Sequence, residues 1–471
     1  MPPSEDKEGV LSSIALRFTA WSERWIPDAF VFALLATALV FALGLGTSAS
    51  APALVESWGR GFWELLPFTM QMVLVIVTGY VLATSRPIGW CIERLAELPR
   101  TARGATTMVA IFSMTTSWIN WGFSLIFSAM LARATARHRP EADYRALAAS
   151  SFLGLGSIWA QGLSGSAALQ MATPNALQPA IRDVVAHGGV VPDGMIPLSK
   201  TIFLWQSFVS VAIEIVVVVA VVWLYTPSPD RAKTAAALGV DLTPPREEAT
   251  ENPKTLGEQL EHSPALSMIV VALGFAFLAI HIANAKDKVA AITLNTINLA
   301  FLTIGFLLHG TPARLMRAVR EAMPATWGVV LQYPFYAGIA GMITYTHLNS
   351  KIAGFFVGIS TPRTFPTMIA AYSTVLGVFV PSGGSKWVIE APYVMAAAHD
   401  LKVHLGWMVA VYDLGEAVAN LVQPFWMLPT LAILGLKARD VMGFTFVVFV
   451  VLLPLVLVLV TWLGATLPYP L

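Results

Sequence analysis

Apolar runs separated by short polar segments occupy most of the chain, and the lengths of those runs decide what each can do. A hydrocarbon core about 30 Å thick takes about 20 helical residues at about 1.5 Å each. Nine runs reach that scale: 29–46, 64–84, 147–180, 201–225, 266–284, 289–309, 327–347, 405–435 and 441–467. Two of them, 147–180 and 405–435, are over-long and broken by polar or proline-bearing residues. Two further stretches, 106–133 and 364–399, have a different pattern, two apolar arms around a polar turn. In the second, the arm 366–379 would make a helix of about 21 Å, after which Pro381 lacks a donor and Gly383 and Gly384 permit turn dihedrals. Bare backbone at that depth survives only inside protein or against a wet cavity. A re-entrant helical hairpin is the expected form, with a kinked spanning helix as the alternative. Short interfacial helices are expected at 313–323 and 55–62, an amphipathic interfacial helix within 1–28, and a solvated linker at 227–265.

Charge selects between hairpin and span. With both hairpins returning to the side they came from, one face of the membrane carries 20 of the 29 Lys and Arg, the other 8, and Lys386 lies between. The flanks of 106–133 are both basic: Arg86, Arg94, Arg100 and Arg103 before it, Arg133, Arg137, Arg139 and Arg145 after it. A true span would export one cluster, against the positive-inside rule. The first hairpin is therefore expected to enter from the cytoplasm, the second from outside, with the N-terminus cytoplasmic. Composition agrees: 56% hydrophobic and 12% charged, with a net charge of +1 that points to no nucleic-acid partner. The single cysteine, Cys91, excludes an internal disulfide. HExxH, P-loop and GxSxG patterns are absent, which argues against a protease, an ATP-driven pump or a hydrolase; no cofactor is expected.

The two halves run in the same order. Each has a span, an interfacial helix, a span near Trp and Pro (Trp63 with Pro67, Trp327 with Pro334), a hairpin, a broken span and a final span. Landmarks recur about 260 residues apart, as with Met108 and Met368, and 266–284 supplies the change of parity that inverts the second copy. The expected division is a repeat over 29–226 and a second unit over 266–471. Inverted repeats with interrupted helices at matching places point to a secondary transporter with its site at the repeat interface.

Four polar tips are expected to converge there. They are Ser117, Asn120, Trp121 and Gly122 in the first hairpin; Ser164, Gly165 and Ser166 in the first broken span; Ser382, Gly383, Gly384 and Ser385 in the second hairpin; and Asn420 and Gln423 in the second broken span. Helix N-termini and hydroxyls suit a small carboxylate, while helix C-termini and loop carbonyls suit a cation. The plainer reading is polar residues holding helices together. Lys386 has Glu390 four residues on, so a self-neutralised pair stands beside a direct role at the substrate. Asp413, Glu416 and Glu214 are candidates for ion or proton coupling, unless Asp413 lies near the surface. Trp118, Trp121, Phe123, Trp387 and Met171 could shield a short alkyl tail or serve as packing.

In the segments ALRFTAWSERWIPDAFVFALLAT (15–37), MVLVIVTGYVLATS (72–85), SWINWGFSLIFSAMLAR (117–133) and PSGGSKWVIEAPYVM (381–395) the chain resembles the short-chain fatty acid transporter family, associated with acetoacetate and butyrate utilisation, within the wider ion transporter superfamily. The resemblance implies an all-α polytopic membrane protein of two inverted repeats, each with a hairpin and a broken helix. It also implies an elevator motion of a hairpin-bearing domain against a scaffold, and a homodimer. It implies substrate contacts at Ser117, Asn120, Gly122, Ser164, Ser166, Ser382, Gly383, Gly384, Asn420 and Gln423. The tips Ser-Trp-Ile-Asn-Trp and Pro-Ser-Gly-Gly-Ser depart from the Ser-Asn-Thr-type tips of the superfamily's sodium sites, which leaves Na+ and H+ both open as coupling ions. Another organic anion, such as a dicarboxylate, or a cation/proton antiport through Asp413 and Glu416, is the alternative; a membrane-embedded enzyme is the reading from a different class.

Overall fold

The computed structural model describes residues 29–47, 49–174, 176–243, 255–285, 288, 291–379 and 383–471. The interfacial helix expected within 1–28 lies outside them, as do residues 244–254 of the linker and residues 380–382, where the second hairpin is expected to turn. The described residues are helical with connecting turns, and contain no strand.

The first half runs α1 (Ala29–Gly46), α2 (Ala51–Phe62), α3 (Leu66–Ala83), α4 (Arg86–Ala96), α5 (Ala102–Ile119), α6 (Trp121–His138), α7 (Tyr144–Ser157), α8 (Ser166–Ala172), α9 (Pro179–Val185) and α10 (Trp205–Tyr225). Between halves lie α11 (Leu256–His262) and α12 (Pro264–Asn284). The second half runs α13 (Leu294–His309), α14 (Pro312–Ala322), α15 (Trp327–Tyr345), α16 (Leu348–Ile359), α17 (Phe365–Phe379), α18 (Gly383–Asp400), α19 (Leu405–Ala419), α20 (Leu428–Leu434) and α21 (Ala438–Gly464).

Packing partners recur in matched pairs. Helix α2 lies on α15 as α14 lies on α3; α3 packs on α6 as α15 packs on α18; α4 touches α6 as α16 touches α18; and α5 packs on α7 as α17 packs on α19. The tightest of these crossings uses the same residue types twice. Ser113 Oγ donates to Ser151 O (2.8 Å), and Ser373 Oγ donates to Tyr412 O (2.9 Å). Opposite them, a Cβ on Gly154 would collide with Ser113 O, and one on Gly415 with Ala370 O. Small residues let helix backbones approach closely without a hydrophobic driving force.

Several boundaries differ from the expectation. Among the described residues, five helical segments are both long and apolar enough to cross a membrane: Leu66–Ala83, Tyr144–Ala172, Trp205–Tyr225, Pro264–Asn284 and Ala438–Gly464. The run expected from 289 starts only at Leu294, because Thr293 caps the helix reciprocally with Thr296, leaving 16 residues. The break in 147–180 is wider than a single kink: a 3₁₀ turn, Trp159–Gln161, follows α7, and α8 ends at Ala172. The first part of the linker is largely exposed, and it is also bonded to the helices beside it. Lys233 N–H bonds Asp143 Oδ2 (3.0 Å), Tyr144 N–H bonds Lys233 O (2.9 Å), and the guanidiniums of Arg133 and Arg137 reach the carbonyls of Asp241 and Leu242. The base of α6 and the start of α7 need acceptors and donors for their charged and unpaired groups, and this strand of chain provides them.

Candidate functional site

In the first hairpin, α5 and α6 are separated by one residue. Asn120 is extended (φ −156°, ψ 120°), and its Oδ1 accepts from Phe123 N–H (2.8 Å), which caps α6. The Nδ2 of Asn120 is buried without a hydrogen-bond partner, as is Ser117 Oγ. Trp121 N–H donates to Ser164 Oγ at 2.9 Å, so the first hairpin is bonded directly to the first broken helix. Gly162 continues that junction, for its missing Cβ would strike Trp118 O, while Leu163 N–H donates to the same carbonyl (2.7 Å). Gly165 closes the turn on Gly162 O (3.0 Å), and Ser166 opens α8.

The second hairpin is bonded to the same structure. Gly383 O accepts from Tyr412 O–H (2.6 Å), and Gly384 O accepts from Gln170 Nε2 of α8 (2.7 Å). A Cβ on Gly383 would sit 2.6 Å from the Trp159 ring, and one on Gly384 would sit 3.1 Å from Phe68 and from the Tyr333 hydroxyl. Ser382 lies outside the described residues, as does the side chain of Ser385. In the second broken helix, Asn420 Nδ2 donates to Leu155 O (3.2 Å), and its Oδ1 accepts from Gln423 Nε2 (2.6 Å). Gln423 Oε1 in turn accepts from Phe425 N–H (2.7 Å). Both ends of Gln423 are thus used in holding the break open.

All four breaks border one small cavity of about 20 Å³, room for about one water. Trp121, Ser166, Gly383, Gly384 and Asn420 line it, as expected from the sequence, together with Trp159, Tyr333 and Trp426, which sequence reasoning did not select. Each of these aromatics adjoins an interruption: Trp159 begins the turn ahead of Gly162, Trp426 follows Pro424, and Tyr333 precedes Pro334. That adjacency was the available signal. Ser117, Asn120, Gly122, Ser164, Gly165 and Gln423 are not among its lining residues. Trp387 packs fully buried against Tyr412 (4.7 Å between ring centroids), and Trp118 packs against Phe203 and Phe208; both serve the packing role.

Beneath the second hairpin lies a fully buried ionic cluster. Lys386 Nζ is 3.2 Å from Glu390 and 3.1 Å from Glu416, donates to Ser373 Oγ (2.6 Å) and Ser373 O (3.0 Å), and stands 4.5 Å from the centre of the Tyr412 ring. Lys386 therefore ties three helices, a wider linkage than the expected i,i+4 pair. Asp413 is fully buried, not near the surface, and accepts from Ala167 N–H at the start of α8 (3.0 Å). Glu214 accepts from Gln161 Nε2 (2.8 Å) and Ser210 Oγ (2.6 Å), joining α10 to the first break. Among the described residues, no group of three or more His, Cys, Asp or Glu is placed to hold a metal.

A family model described as short chain fatty acid transporter matches residues 10–463. The chain belongs to that family. A relative from Escherichia coli (strain K12) is 38% identical over 442 residues, covering 92% of this chain and 96% of its own. One from Haemophilus influenzae (strain ATCC 51907 / DSM 11121 / KW20 / Rd) is 33% identical over 451 residues, covering 95% and 99%. Both carry the provisional name of short-chain fatty acid transporter. In fold, the chain is similar to the YdaH transporter of Alcanivorax borkumensis (TM-score 0.60, 12% identity, 94% of this chain and 99% of that one). It is also similar to MtrF of Neisseria gonorrhoeae, described among antimetabolite efflux pumps (TM-score 0.57, 13% identity, 96% and 97%). The chain is an all-helical integral membrane protein of a transporter family, and no cofactor is implied.

Proposed function

We propose that this protein is a secondary active transporter of short-chain monocarboxylates, such as butyrate and acetoacetate, in a bacterial cytoplasmic membrane. The observation that carries the reading is the cavity bordered by both hairpins, both broken helices and the two spans α3 and α15. Such interrupted elements present helix ends and unpaired donors to a small anion. Asn120 Nδ2 and Ser117 Oγ, buried and unpartnered at the end of the first hairpin's leading arm, are the donors that a carboxylate would draw in once the cavity opens.

The matched packing pairs support two repeats, over 29–226 and 266–471, inverted by α12 and bearing re-entrant hairpins. The positive-inside count supports a multi-pass arrangement with a cytoplasmic N-terminus. The family resemblance supports an elevator, in which α5–α8 and α17–α20 would move against α1–α4 and α13–α16, the latter forming the scaffold and the homodimer contact. Coupling falls to Lys386, Glu390, Asp413 and Glu416, ionisable groups deep in the moving part that can exchange a proton as the substrate crosses. H+ and Na+ both stand as coupling ions, since loop carbonyls and helix C-termini at the breaks suit a cation as well.

The test is uptake of labelled butyrate into proteoliposomes. An imposed pH gradient in sodium-free buffer should drive accumulation, and a competing excess of unlabelled butyrate should abolish it. Accumulation driven only by a sodium gradient would assign the other ion. Preference for a dicarboxylate would replace the substrate class, and no carboxylate uptake under any gradient would refute the reading.

A further inference from the structure

A second cavity, of about 220 Å³, adjoins the small one and is used by nothing described so far. The two share three wall residues, Val329 and Tyr333 of α15 and Trp426 after the second break. The larger one is walled mainly by aromatic and aliphatic surface, with the Phe425 ring beside Gly328. One polar group interrupts that surface. Gln332 lies in the wall, 4% exposed, and its Nε2 is buried without a hydrogen-bond partner. A buried amide donor left unsatisfied is unfavourable, so this one marks a place where an acceptor belongs.

We infer that the larger cavity is an acyl-chain subsite, and that Gln332 Nε2 recognises an oxygen on that chain. The inference rests on the transport reading. With the carboxylate against the breaks at the small cavity, the chain extends past Val329, Tyr333 and Trp426 into the larger space. Apolar walls take up methylene groups favourably, so each added methylene strengthens binding where the space admits it. Gln332 then donates to the carbonyl oxygen of an oxo acid, which a plain acyl chain of the same length does not offer. Val329 is the threshold between the two spaces and sets how much chain passes.

The experiment compares uptake of labelled acetate, butyrate, hexanoate and acetoacetate by purified protein in proteoliposomes. Val329→Phe should lower the hexanoate-to-acetate uptake ratio about tenfold, and Val329→Ala should raise it. Gln332→Leu should lower the acetoacetate-to-butyrate ratio by about tenfold, the effect of one lost hydrogen bond of about 1.4 kcal/mol. Ratios make the readout independent of how much folded protein each variant yields. If wild-type protein carries none of the four acids, the transport reading itself fails. If it carries them and the variants slow all four alike, the larger cavity is a passage only and the subsite is overturned. Unchanged ratios in all three variants would overturn it equally.

Discussion

Removing the Lys386 ammonium is the sharpest perturbation that the structure offers. At 3.1 and 3.2 Å from its two carboxylates, and with an effective dielectric constant of ~20, each attraction is worth about 5 kcal/mol before desolvation. Burying the three groups offsets most of that gain, so the intact cluster adds little net stability. Deleting one partner is a different matter, because the desolvation cost of the others stays. Lys386→Met would leave Glu390 and Glu416 facing each other without a cation, and the expected loss is about 3–5 kcal/mol. The triple variant Lys386→Met, Glu390→Gln, Glu416→Gln should recover most of it, since its groups carry no charge and a dry interior tolerates packed neutral side chains. The assay is thermal unfolding of detergent-purified protein at pH 8, read by intrinsic fluorescence. The single variant should melt well below wild type and the triple variant close to it. A single variant that melts with wild type, or a triple variant no better than the single, would refute the claim that the ions hold one another.

Other expectations follow from local contacts. Ser164→Ala takes the acceptor from Trp121 N–H and should cost about 1–3 kcal/mol in the same melting assay, with weaker apparent affinity for butyrate. Gly162→Ala should abolish folded yield, since its new methyl meets Trp118 backbone, whereas Gly89→Ala, with open space around it, should stabilise α4 by about 0.5–1 kcal/mol; equal yields would contradict the geometry. His404, in the connection before α19, accepts Trp407 N–H through Nδ1 (2.9 Å), and burial, then Lys200, pushes its pKa from 6.5 to about 4. Its contribution is complete above 6.5 and is lost as pH falls towards about 4, because the unfolded chain takes up the proton first. Melting temperature should therefore drop over that range, and His404→Asn, which caps without titrating, should flatten the drop.

Periodicity and charge placed most helices, both hairpins' arms and both breaks, because a bilayer permits few ways to dispose of apolar runs and basic loops. The positions of Trp121, Ser166, Gly383, Gly384 and Asn420 were legible for the same reason, as chain interruptions at depth. What stayed hidden depended on three-dimensional contact. Nothing in the spacing of Glu416 from Lys386 announces a 3.1 Å pair across two helices, whereas Glu390, four residues on, could be read from helical geometry. Gln423 looked like a ligand group because it sits at a break, yet neighbouring backbone and Asn420 use both of its ends. The hydrogen bonds of 227–243 to α6 and α7 were not legible from its polar composition, which describes exposure and not what a stretch of backbone is bonded to.

The pairing of the halves also shows where their chemistry separates. Ser113 and Ser373 occupy the same crossing, and each has its carbonyl bonded by a side chain one turn past the hairpin tip. In the first half the donor is Ser124 Oγ (2.8 Å); in the second it is Lys386 Nζ (3.0 Å). Following the same alignment, Glu390 falls opposite Ser128, and Glu416 opposite Leu155. Thus an ammonium and two carboxylates stand where the first half has two hydroxyls and a hydrocarbon. One set of crossings supports both arrangements, so packing alone does not require the ions. At these crossings, among the described residues, the buried ions belong to α18 and α19, while a buried carboxylate of the first half, Glu214, stands apart on α10, bonded to Gln161 at the first break. The proposed coupling therefore has candidates at two separate places, and silencing the cluster and Glu214 in turn distinguishes them.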